Sequence, residues 1–108
     1  MQLDLFAMLE VPAELLKYEA FKEANPWVLP RLTRMSHDLR KRGHRQYGIK
    51  ALIEVLRWEH SLTHDPSCEF KFNNNYCPFM AREIMKHEPM LEGFFKIRES
   101  VADRSEDY

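Results

Sequence analysis

Residues 44–62 read HRQYGIKALIEVLRWEHSL, and the spacing of their apolar side chains decides the fold class. Ile49, Leu52, Ile53 and Leu56 recur at three- and four-residue steps and so cover one helical face, which predicts a buried helix from about Ile49 to Ser61. The opposite face carries Lys50, Glu54, Arg57 and Trp58, with Lys50 and Glu54 at the i,i+4 spacing of a helical ion pair. Trp58 stands off the seam. A ring of that size gains most when buried, so a neighbouring segment, the N-terminal arm or the C-terminal region, is expected to cover it.

Toward the N-terminus, Gly43 is the natural stop for a preceding helix that runs through about Arg42, with Val28, Leu32, Met35 and Leu39 as a narrow apolar seam. Asn25-Pro26 punctuates its start. Because a proline beyond the first turn removes a backbone hydrogen bond, regular helix is expected to begin nearer Pro30 than Pro26. The first helix starts at Pro12 and reaches Asn25, with Leu15, Tyr18 and Phe21 at a helical step, and reads as a short amphipathic arm.

Toward the C-terminus, THDPSCE (63–69) reads as a loop and Phe70–Phe72 as a short strand, since apolar residues alternate there until Asn73, Asn74 and Asn75 break the pattern. Asn74 or Asn75 is placed to cap a fourth helix by accepting from the Cys77 amide, with Pro78 in the first turn and the end near Glu88, before Pro89. GFFKIRE (93–99) gives a second short strand able to pair with Phe70–Phe72. The expectation is a mainly α domain with minor β: three or four helices resembling a degenerate winged helix, with a two-stranded β element. One domain spans 1–108, as a helical arm at 1–25, a helical core at 26–98 and a frayed tail at 99–108.

The composition fits a soluble protein. No apolar run approaches the roughly 18 residues that span a bilayer, and Asp4 sits where a secretory signal carries basic residues, so Cys68 and Cys77 are expected as thiols in a reducing cytoplasm. The net charge of −1 conceals a basic belt. Residues 31–50 hold seven Lys/Arg (Arg31, Arg34, Arg40, Lys41, Arg42, Arg45, Lys50) against Asp38, and acidic ends bracket them. Such a belt is a footprint for phosphates, or else a solvated helix face with local partners.

The segment FKFNNNYCPFMAREIMK (70–86) carries the sharpest functional expectation. Set out at 100° per residue, Cys77, Met80, Ala81, Ile84 and Met85 share an apolar arc, while Asn75, Phe79, Arg82 and Lys86 fall on the opposite one. A ridge of amide, ring, guanidinium and ammonium at a helix N-terminus has donors for base edges and phosphates in a major groove. The order of basic helix, turn, buried helix and capped helix approximates a helix-turn-helix core, although the link before the capped helix is about a dozen residues rather than three or four.

YGIKALIEVLRW, FKFNNNYCPFMAR and EPMLEGFFKIR together resemble a group of small proteins encoded by phages and prophages, over about residues 20–98. The resemblance implies a phage-derived origin and favours DNA regulation or host takeover. It carries no activity and names no residues.

Catalytic and metal readings are weaker. His60, His64, Cys68 and Cys77 lack CxxC knuckle spacing, and Pro66 breaks the helix that would align them. His64, Asn74 and His87 lack the remaining elements of a His-Asn-His nuclease. Three scattered glycines form no phosphate loop, and Cys77 on the apolar arc reads as an inert thiol. The expectation is therefore a non-enzymatic, cofactor-free, metal-free protein that binds double-stranded DNA. Asn75, Phe79, Arg82 and Lys86 would face the groove while Arg31, Arg34, Lys41, Arg42 and Arg45 hold phosphates. The rival is a module that occupies a host protein through an aromatic surface of Tyr47, Trp58, Phe94 and Phe95.

Overall fold

Asn25 ends the first helix twice over, because both its backbone N–H and its side-chain amide donate to the Phe21 carbonyl, at 2.9 and 3.1 Å. The computed structural model describes residues 12–96, and within them α1 spans Ala13–Ala24, α2 Val28–Lys41, α3 Ile49–Thr63 and α4 Cys77–His87. Short 3₁₀ turns at Asn74–Tyr76 and Pro89–Leu91 flank α4. The expected tail at 99–108 and the first eleven residues of the expected arm lie outside the described residues.

Regular helix in α2 begins at Val28, midway between Pro26 and Pro30 rather than nearer the second proline. Pro30 is the third helical residue, where its missing N–H is one of the four that no helix pairs internally, and the i→i−4 ladder opens one residue later with Arg31 N–H on Trp27 O at 3.2 Å. The far end closes as the sequence anticipates. Gly43 takes φ +102°, its N–H reaches the Arg40 carbonyl, and the His44 N–H reaches back to Leu39, a Schellman closure that turns the chain toward α3.

Leu52, Ile53 and Leu56 of α3 are buried against Val28 and Leu32 of α2 and Met80, Ala81 and Ile84 of α4 in one core. Tyr18 and Phe21 belong to that core. The segment expected as an arm is therefore an integral layer from α1 onward, with Tyr18 stacked on Phe79 at 5.5 Å and Phe21 against Tyr76 at 5.0 Å.

The two-stranded β element is absent among the described residues. Phe70 and Phe72 alternate because they belong to an aromatic plug: Phe70 meets Phe21, Trp27 and His60, and Phe72 meets Phe21 and Tyr76. At the other expected strand, Phe94 and Phe95 are consecutive and both buried, which a one-faced strand cannot achieve. There the Phe94 carbonyl accepts from Tyr47 N–H at 3.1 Å and tethers the C-terminal segment to the entry of α3. Residues 97–99 of that expected strand lie outside the described residues.

The cap before α4 also differs. Asn73, rather than Asn74 or Asn75, supplies the side-chain oxygen, accepting from Asn75 N–H at 2.8 Å to start the 3₁₀ turn, and α4 follows with Pro78 in its first turn.

Candidate functional site

The expected ridge on α4 loses its aromatic member to packing. Phe79 is 2% exposed, because α1 covers the side of α4 that helical periodicity assigns to solvent. Glu83, one turn beyond Phe79, seals that contact: its carboxylate accepts from Tyr18 OH at 2.7 Å and from Lys22 Nζ at 2.9 Å. Arg82 is half-buried, and of the four expected residues Asn75 and Lys86 are exposed. The sequence held a signal for this arrangement. Glu83 lies at i+4 from Phe79, and Tyr18 and Lys22 share the same spacing on α1, so the two helices present matching apolar and polar steps.

The basic belt is partly structural. Arg31 pairs with Glu59 at 3.0 Å and clamps α2 to α3, while Arg40 donates to the Arg45 carbonyl at 2.8 Å and holds the loop beyond Gly43. Arg34, Lys41, Arg42 and Arg45 are exposed and make no ion pair within 4.0 Å among the described residues. Arg34 and Lys41 line an open groove of about 930 Å³, with His37 on the same helix and His87, Glu88 and Met90 opposite. His37 bridges it, Nε2 to Glu88 Oε1 at 2.7 Å. The belt thus meets the C-terminal end of α4. Asn75 lies at the other end, beside α1, about 15 Å away along a helix of this length.

The outer face of α3 is the unexpected feature. Trp58, expected under a neighbouring segment, is 64% exposed, and Val55 and Leu62 on the same face are 42% and 65% exposed. Leu62 continues into a second groove of about 550 Å³ that it shares with Trp27, Arg31 and Glu59. The aromatic surface expected from Tyr47, Trp58, Phe94 and Phe95 does not form, since Phe94 and Phe95 are core residues.

His60 and His64 stack at 3.8 Å, and Cys68 Sγ lies 3.9 Å from His60 Nε2. Partial desolvation, and then the neighbouring His64, push the His60 imidazole below the usual histidine range. Among the described residues no three His, Cys, Asp or Glu side chains converge as a metal site. Cys77 is half-buried, and burial raises its thiol above the ordinary cysteine range, keeping it protonated. His64 lines the groove beside Trp27 and His87 the groove beside Arg34, so the His-Asn-His set is not assembled. No described helix is long and apolar enough to cross a membrane. Comparison with family models, with curated proteins and with solved structures finds no match.

Proposed function

We propose that this chain is a small, non-enzymatic DNA-binding protein of phage or prophage type that grips the phosphate backbone through the exposed half of its basic belt. The observation that carries the reading is the set Arg34, Lys41, Arg42 and Arg45, four exposed cations running from the middle of α2 through its C-terminal end into the loop after it. Side chains of this kind, free of any ion pair within 4.0 Å among the described residues although Asp38 and Glu88 line the same groove, release counterions when they meet phosphates, and that release supplies most non-specific affinity. Lys86 at the adjoining end of α4 extends the same surface. With Phe79 in the core, the reading rests on backbone contacts rather than on base readout, so a weak sequence preference is part of it.

A salt series with a double-stranded oligonucleotide tests this. Binding should be firm near about 50 mM salt and should fall steeply by about 200 mM, with a log–log slope of about −0.9 per phosphate contacted. Arg42→Ala and Lys41→Ala should each make that slope shallower by about one unit, equally on unrelated sequences. Absence of binding at about 50 mM salt would overturn the reading and reassign the belt to an acidic protein partner.

A further inference from the structure

We propose that the outer face of α3 is the contact surface for a second copy of this chain, packed antiparallel across a two-fold axis that passes between Leu56 and Arg57. The inference is independent of the DNA reading. Its basis is an apolar stripe, Ala51, Val55, Trp58 and Leu62, that is exposed throughout on a helix whose other face is fully committed to the core. Its members recur at the four-, three- and four-residue steps of a helical seam built to meet another helix.

The stripe is self-complementary. The four positions are symmetric about the middle of the helix, so an antiparallel copy sets Ala51 against Leu62 and Val55 against Trp58, a small residue facing a large one at each of the four contacts. The flanks agree. In a two-fold antiparallel pair each flank meets the same flank of the other copy running in reverse. Glu54 and Arg57, 3.3 Å apart on one flank, neutralise each other within each copy, and Arg57 is held away from the stripe by the Phe70 carbonyl at 3.4 Å and the Phe70 ring. On the other flank Arg31 and Glu59 already neutralise each other, so no uncompensated like charges are brought together.

The surface is modest. One helical stripe extended by the groove between Trp27 and Leu62 is small beside the roughly 800 Å² per partner of standard interfaces, so the association is expected to be weak and reversible. At that strength the chain exchanges between monomer and dimer over ordinary working concentrations.

Sedimentation velocity across about 5 to 500 µM should show a monomer–dimer transition. Trp58→Glu and Val55→Glu should abolish it while leaving circular dichroism unchanged, because both side chains are exposed. Register is read by cysteine pairing in a Cys68→Ser background. Oxidising the double variant Ala51→Cys, Leu62→Cys should give a covalent dimer, since within one chain those positions lie about 16 Å apart, beyond disulfide reach. Ala51→Cys alone should give none. A covalent dimer from Ala51→Cys alone would mean a parallel arrangement and overturn the proposal. So would a chain that stays monomeric throughout, whether residues 1–11 or an unlike protein then proves to shield Trp58 from chemical modification.

Discussion

Glu83 is the residue on which the helix-to-helix contact of α1 and α4 turns. Its carboxylate collects the phenol of Tyr18, itself 1% exposed, and the ammonium of Lys22. Hydrogen bonds to a charged acceptor contribute more than neutral ones, so Tyr18→Phe should lower stability by about 1–3 kcal/mol, measured as a shift in urea midpoint at constant slope. Lys22 adds a pH dependence. Burial pulls its ammonium down, but hydrogen bonds to Glu83 and Glu19 and the charges of both outweigh that and hold it above the usual lysine range. A folded-state value above the unfolded one means that the contribution is complete below about pH 10.4 and is lost as pH rises through the folded value. The urea midpoint should thus fall as pH rises above about 10.4, and Lys22→Met should remove part of that fall. An unchanged alkaline profile in Lys22→Met would show that the pair contributes nothing measurable.

At the level of elements, α3 was the most legible because its core face rests on local periodicity alone. Ile53→Ala and Leu56→Ala should each cost about 2–5 kcal/mol, both side chains being at most 1% exposed, whereas Trp58→Ala on the outer face should change monomer stability by no more than about 0.5 kcal/mol. Equal losses from the two faces would mean that the outer stripe is covered in the monomer. The end of α2 was legible for a similar reason, since Gly43 signals a local backbone event. An added Cβ there meets nothing within 4 Å, so Gly43→Ala should cost about 1–2 kcal/mol through its positive φ and not through a clash. What sequence could not supply was tertiary cover. Alternating Phe70 and Phe72 look like a strand until α1 and Trp27 close over them, and Trp58 looks too large to leave bare until the chain is folded around the other side of α3. In both cases a pattern two or three residues long was decided by partners far along the chain.

For the whole molecule, the question is whether the cations of α2 and the polar positions of α4 form one surface, and the fold divides the α4 set, bringing only its C-terminal end to the cations. The charge asymmetry of the belt was readable from composition, but its geometry was not, because Arg31 is tied across the surface to Glu59 of α3 and α1 takes the side of α4 that periodicity leaves to solvent. The division makes a prediction that separates function from folding. Lys86→Ala, on the last turn of α4 next to the groove-lining His87, should weaken DNA binding on all sequences and flatten the salt slope by about one unit. Asn75→Ala, exposed at the opposite end of α4, should leave both affinity and slope unchanged. Phe79→Ala should act on neither directly: as a ring stacked on Tyr18 in the core it should cost about 3–5 kcal/mol of stability and weaken binding only as far as the unfolded fraction requires. If instead Asn75→Ala lowers affinity for one preferred sequence by tenfold or more while random DNA is unaffected, the end of α4 beside α1 reads bases, and the phosphate contacts must be sought on the residues around Asn75 rather than along α2.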